Sequence, residues 1–147
     1  VAHYIEEELG HQEWILDDIA AAGGDAGAVR HGKPNFETEV MVAYAYDMVQ
    51  RRNPVGFFGM VYVLEGTSVE LATRVAHKLQ DCLELPPRAF SYLSSHGSLD
   101  ISHMSHFREL VNRLDDPDDR AALLDSAASF FRLYGDVIRS VPTGGAA

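Results

Sequence analysis

The residues of this chain best suited to chemistry are histidines and carboxylates spaced three and four apart. His96, Asp100 and His103 follow one another at intervals of four and three residues. On an α-helix such positions share a face, so the two imidazoles and the carboxylate would point the same way. Nitrogen and oxygen donors without a thiolate suit iron or manganese better than a structural zinc ion. This stretch therefore predicts one wall of a metal site.

A second carboxylate–histidine pair lies near the start of the chain. Glu8 and His11 are three residues apart, which again places both side chains on one helical face. Glu65 is a single acid inside an apolar helical segment, where a carboxylate requires a compensating partner. Di-iron and di-manganese bundles combine two such pairs with single acids from other helices. The predicted metal ligands are Glu8, His11, Glu65, His96, Asp100 and His103, with Glu7 as an alternative to Glu8.

Ordinary structural roles explain some of these residues equally well. A single helical histidine is more often a surface or core residue than a ligand, and an acid three residues before it is common. Glu65 is harder to explain in this way, because a buried carboxylate is costly without a cation. Asp17 and Asp18 are candidates to accept a hydrogen bond from a ligating imidazole. The other histidines, interpreted as surface or structural residues, are His3, His31, His77 and His106.

Charge and composition argue against several kinds of partner. The chain has 147 residues and a formal net charge of −10, whereas nucleic acids and anionic membranes reward clustered Lys and Arg. The single cysteine, Cys82, cannot form an internal disulfide, so a cytoplasmic location is expected. We expect no apolar run long enough to span a bilayer.

Helical periodicity predicts an all-α chain, and no sustained polar–apolar alternation indicates a strand. We predict one helical domain over residues 1–142 and a flexible tail over 143–147. Gly97-Ser98 is predicted to separate a short turn from a new helix capped by Ser98. Because the chain opens within a helix, we expect the first helices of the bundle to be missing from it. The predicted helices span 1–22, 36–52, 54–83, 98–114 and 117–140, with shorter helical turns at 25–32 and 88–95.

The first half of the 54–83 helix is apolar on nearly every face, which is typical of a central helix. Gly56, Gly59 and Gly66 lower its helix propensity and indicate close approach of another helix or a ligand. The residues predicted to line a substrate pocket are Phe57, Phe58, Met60 and Val61.

These motifs resemble those of the heme-oxygenase-like diiron oxidases and oxygenases, an iron-containing redox enzyme family of the TenA/PqqC-like superfamily. The resemblance lies in Glu7/Glu8-x-x-His11, in Glu65 and in the His96, Asp100, His103 triplet. It implies a heme-oxygenase-like helical bundle, two iron ions, O₂ as oxidant and a homodimer. One family carboxylate varies in place, and Glu8 matches one of its two positions; Tyr4 occupies the other.

The function predicted from these residues and this resemblance is that of a non-heme diiron oxidoreductase. It would use O₂ at a carboxylate–histidine site to oxidise a small, partly apolar substrate, with manganese as an alternative metal. A second hypothesis is a metal-free TenA/PqqC-like binding or cofactor-biosynthesis protein, whose pocket would use the same polar residues for hydrogen bonding. A third is a metal-storing or structural bundle.

Overall fold

All regular elements that the structure describes are helices, which confirms the all-α prediction. The structure is a computed structural model that describes residues 2–143, including the side chains of 4–97 and 100–143. Beyond Thr143 the predicted tail lies outside these residues. Pro54–Gly56 and Pro87–Phe90 form short 3₁₀ turns. The α-helices are α1 (Ala2–Glu8), α2 (His11–Ala21), α3 (Ala26–His31), α4 (Phe36–Arg51), α5 (Phe57–Leu83), α6 (Ser91–Val111) and α7 (Pro117–Ser140).

Short polar side chains set several helix starts. The Asn35 side chain accepts a hydrogen bond of 3.1 Å from the Thr38 amide at the start of α4. Asp25 caps α3 and Asp116 caps α7 in the same manner. Each cap satisfies an amide of the first helical turn that has no partner within its own helix.

The start of the chain forms two helices, so the prediction of one helix over 1–22 was wrong. Gly10 separates α1 from α2 with a φ of 95°, a left-handed conformation that glycine adopts at little cost. The Glu13 amide then bonds to the Gly10 carbonyl at 2.9 Å and begins α2. As a result, Glu8 ends one helix and His11 begins the next.

The prediction of a helix break at Gly97-Ser98 was also wrong, because α6 runs without interruption from Ser91 to Val111. A Cβ added at Gly97 would overlap the Thr73 hydroxyl and lie 3.3 Å from the Thr73 amide nitrogen. Gly97 therefore lets α6 approach α5 closely, which is a packing role rather than a break. Ser98 lies inside α6, and its side chain is outside the described part of the structure.

The chain divides into two compact units. Within the described residues, unit 1 comprises 2–33 and 67–101, and unit 2 comprises 34–66 and 102–143. In unit 1, Ala76, Ala89 and Phe90 form a buried apolar cluster against which Ala21, Leu85 and Leu93 pack. This cluster lies under α2 and the first turns of α6, the helices that carry His11 and His96.

Unit 2 packs α7 against α4 and the first turns of α5. Phe130 is fully buried and meets the Tyr44 ring edge-on at 5.0 Å. The backbones of α5 and α7 approach closely at Gly59, which confirms that this glycine marks contact with another helix. Gly66, by contrast, has only ordinary contact with Met104 at 3.9 Å. The buried apolar residues of this unit are Met48, Val61, Val63, Phe107, Leu123 and Phe130.

The segment Pro54–Leu83 is long and apolar enough to cross a membrane, by length and composition alone. This finding corrects the expectation that no run reaches that length. The core helix of a soluble protein passes the same test, so one such helix is weak evidence for a membrane span.

Candidate metal centre

Three of the predicted ligands converge within unit 1. His11 Nδ1 lies 2.9 Å from Glu8 Oε2 and 3.2 Å from His96 Nε2. The donor atoms of all three residues lie within 4.8 Å of one another. With metal–ligand distances near 2.1 Å, adjacent ligand atoms lie about 3.0 Å apart in octahedral coordination and about 3.4 Å apart in tetrahedral coordination. The spacing of these donors therefore fits a single cation with little rearrangement.

The hydrogen bonding of His96 fixes which ring nitrogen is available to a metal. His96 Nδ1 lies 2.9 Å from the Tyr92 carbonyl oxygen. A carbonyl oxygen can only accept a hydrogen bond, so Nδ1 must carry the proton and donate. Nε2 then keeps its lone pair and faces His11. This is the arrangement by which proteins orient metal-ligating imidazoles.

Two aromatic rings cover the imidazoles. Tyr92 stacks on His96 with ring centroids 3.9 Å apart, and Trp14 lies 4.3 Å from the His11 ring. Trp14 also meets the His96 ring at 5.9 Å, with the two ring planes steeply inclined. These contacts limit rotation of both imidazoles and shield their faces from water. Sequence analysis missed both rings, although Trp14 follows His11 by three residues and Tyr92 precedes His96 by four, spacings that place side chains together on a helix.

Burial is graded across this cluster. His96 is 6% exposed, the His11 side chain 12% and the Glu8 side chain 31%. The cluster therefore opens to solvent on the Glu8 side. Glu7 is exposed, so the geometry favours Glu8 as the carboxylate of this cluster.

Unit 2 contains a second acid–histidine pair. His103 Nδ1 lies 3.7 Å from Glu65 Oε1, and the side chains are only 9% and 7% exposed. This distance is longer than that of a good hydrogen bond, but two atoms that ligate the same cation can lie this far apart. Because this pair is almost completely shielded from water, an ionised carboxylate here is stable only with positive charge nearby.

Asp100 is a buried acid on α6, one helical turn after His96, and is only 2% exposed. Its carboxylate lies outside the close group formed by Glu8, His11 and His96. Three histidines interpreted as peripheral are exposed, namely His31, His77 and His106.

The predicted pocket residues are mainly packing residues in unit 2. Val61 is buried, Phe58 faces Phe107 at 6.4 Å, and Phe57 and Met60 are partly buried. A surface groove of about 330 Å³ in this unit has a different lining, formed by Phe36, Glu37, Val40, Leu133, Asp136, Arg139 and Ser140.

The family comparison agrees with this donor set. A model of a family described as iron-containing redox enzymes matches residues 1–135, a range that includes every predicted ligand. The chain belongs to the iron-containing redox enzyme family. No curated protein and no solved structure gave a significant match. Membership supports an all-α, heme-oxygenase-like fold, an oxidoreductase function and iron as the metal.

Proposed function

We propose that this iron-containing redox enzyme uses O₂ to oxidise a small, partly apolar substrate at a non-heme site. The observation that carries the proposal is the convergence of Glu8, His11 and His96 within one unit. Two imidazoles and a carboxylate form a donor set that suits redox-active iron with positions left for other ligands. The protonation of His96 at Nδ1 leaves the nitrogen that faces this group ready to bind a cation.

We assign two iron ions to the chain. The first would be held by Glu8, His11 and His96 in unit 1. The second would draw on Glu65 and His103 in unit 2, where the two side chains are similarly shielded. We also assign Asp100, which is buried on α6, as a further carboxylate ligand. Manganese is the alternative metal.

Bound ferrous iron would supply the electrons that reduce O₂ and thereby drive substrate oxidation. His11 could ligate through Nδ1 only in the tautomer whose ring proton is on Nε2, so the cation would replace its hydrogen bond to Glu8. Because protons compete with a metal for imidazole and carboxylate donors, metal affinity should fall as the pH is lowered. Trp14 and Tyr92 hold both rings in place and exclude water from their faces. The apolar faces of these rings favour a substrate with an apolar part.

The remaining assignments rest on the composition and on the resemblance. We propose a cytoplasmic homodimer that takes O₂ and a small molecule and binds neither nucleic acid nor membrane. The metal-free binding protein remains the competing hypothesis, because histidines and acids can also hydrogen-bond an organic ligand.

The experiment begins with an anaerobic Fe(II) titration of the apoprotein. Trp14 is the only tryptophan of the chain and lies against His11, so its fluorescence should report metal binding directly. Air-saturated buffer is then mixed with the loaded protein, while absorbance and dissolved O₂ are recorded. We expect saturable quenching and O₂ uptake in proportion to bound iron.

His11→Ala and His77→Ala provide a matched pair for this experiment. His77 is exposed, so its variant should behave as the parent, whereas His11→Ala should bind less iron and consume less O₂. Parent protein that binds no iron above the level of His11→Ala would favour the metal-free alternative. Iron binding without O₂ consumption would favour a metal-storing role.

A further inference from the structure

The first turn of α6 is capped by a side chain from another helix. Asp18 of α2 accepts hydrogen bonds from the Ser91 amide at 3.0 Å and from the Tyr92 amide at 2.9 Å. The Ser91 hydroxyl also donates to the same carboxylate. Amides in a first helical turn have no partner within their helix, and here a residue 73 positions earlier supplies one. The role expected of Asp18, as direct acceptor for a ligating imidazole, is therefore wrong.

The capped residue is also the one that orients His96. Asp18 holds the Tyr92 amide, and the Tyr92 carbonyl accepts the Nδ1 proton of His96. The Tyr92 ring stacks on the same imidazole. Anything that moves the first turn of α6 therefore moves both the hydrogen-bond acceptor and the aromatic face that define the His96 ring position.

The same two helices meet again at the histidines. Asp18 and His11 are seven residues apart on α2, about 10 Å along the helix axis. Tyr92 and His96 are four apart on α6. Contacts at two separate points prevent one helix from sliding or rotating against the other. The separation of 3.2 Å between His11 and His96 thus depends on the attachment at Asp18.

We propose that Asp18 is a positioning residue of the metal centre. By holding the start of α6 against α2, it sets the Nδ1-protonated form of His96 and places Nε2 at ligating distance from His11. This inference rests on the proposed iron site in unit 1, although its effect on the His96 ring exists without metal.

The test compares three variants of the full chain with the parent. Asp18→Ala removes every acceptor, whereas Asp18→Asn retains one amide oxygen that can cap either Ser91 or Tyr92. Asp17→Asn is the matched control, because Asp17 is its exposed neighbour and removal of its charge leaves the cap intact. If Asp18→Ala does not fold, Asp18→Asn carries the test.

Two measurements separate positioning from general stability. Co(II) serves as the probe metal, and its visible absorption at saturation reports ligand number and geometry. We expect Asp18→Ala to weaken Co(II) binding about 10–100-fold, as for other residues that orient metal ligands, with an altered saturated spectrum. Asp18→Asn should be intermediate and Asp17→Asn unchanged. In apoprotein, ¹⁵N NMR of the imidazole should show that His96 loses its uniform Nδ1-protonated form in Asp18→Ala.

The outcomes are distinguishable. If parent protein binds no Co(II) or Fe(II), the proposed function fails, and the apoprotein NMR still decides the role of Asp18. Faster amide exchange at Ser91 and Tyr92 would show that Asp18→Ala has lost the cap. If the parent binds metal and this variant nevertheless keeps the parental affinity, spectrum and His96 proton position, the positioning role is overturned. A loss of thermal stability with those readouts unchanged would make Asp18 a helix cap and nothing more.

Discussion

Replacing Gly59 of α5 with alanine should destabilise unit 2, although alanine is the better helix former. A Cβ at this position would lie 2.5 Å from the Ala127 amide nitrogen and 2.7 Å from the Leu123 carbonyl oxygen, and would overlap the Ser126 hydroxyl. The first two atoms belong to the backbone of α7 and cannot rotate away. Overpacking of this kind costs about 1–3 kcal/mol, against a gain of about 1 kcal/mol in helix propensity. Because two backbone atoms obstruct the Cβ, the cost should fall in the upper part of that range, which leaves a net loss of about 1–2 kcal/mol in the free energy of unfolding.

Gly66 provides a matched control on the same helix. A Cβ there would meet only the Met104 side chain, at an ordinary 3.9 Å, so Gly66→Ala should gain up to about 1 kcal/mol. Urea denaturation of the apoproteins, followed by far-ultraviolet circular dichroism, measures both changes. The two glycine-to-alanine substitutions should therefore shift stability in opposite directions.

The source of the effect is also testable. Ser126→Ala removes the hydroxyl but leaves both backbone obstacles, so it should not restore Gly59→Ala to parental stability. A Gly59→Ala protein as stable as the parent, or full rescue by Ser126→Ala, would refute the close approach of the α5 and α7 backbones.

Three further substitutions test contacts elsewhere in the chain. Gly97→Ala should cost up to about 2 kcal/mol in urea denaturation after the same gain in helix propensity. Because the main obstacle is the Thr73 hydroxyl, Thr73→Ala should restore most of the loss. A hydrogen bond from Arg30 lowers the pKa of Glu13, so its charge stabilises the fold above the ordinary glutamate pKa and ceases to do so as the pH falls through the lowered value. Glu13→Gln should therefore lower the melting temperature most at pH 7, with an effect that shrinks as the pH falls below about 4, and equal effects at pH 7 and in strong acid would contradict the ion pair. Asn35→Ala should cost about 1 kcal/mol through loss of the α4 cap, and unchanged urea stability would show that the cap is dispensable.

Helical periodicity predicted most of the helices well, since it acts within a few residues of the chain. Gly10 and Gly97 show where this reasoning fails. Both glycines can end a helix, but only Gly10 takes a left-handed φ. Gly97 stays helical because Thr73 of α5 occupies the space where a side chain would lie. That reason depends on a residue distant in sequence, so the local pattern could not reveal it.

In the candidate site, too, local spacing was predictable from the sequence, whereas contacts between distant residues were not. Helical spacing correctly paired Glu8 with His11. It did not decide between Glu7 and Glu8, because that depends on how α1 is rotated before the Gly10 break. Spacing also gave no indication that Asp18 caps α6, since its partners lie 73 and 74 residues away. The spacing of donor types was therefore predictable, whereas the residues that hold the donors in place required the fold.

Iron content per chain tests the central claim most directly. Parent, His96→Ala, Glu65→Gln and His77→Ala proteins would be loaded anaerobically with Fe(II), separated from free metal and measured by elemental analysis. We expect about two iron ions in the parent and in His77→Ala, with one ion lost in each of the other two variants, because we assign His96 and Glu65 to different ions. Equal iron content in all four proteins would contradict the assignment of iron to these residues.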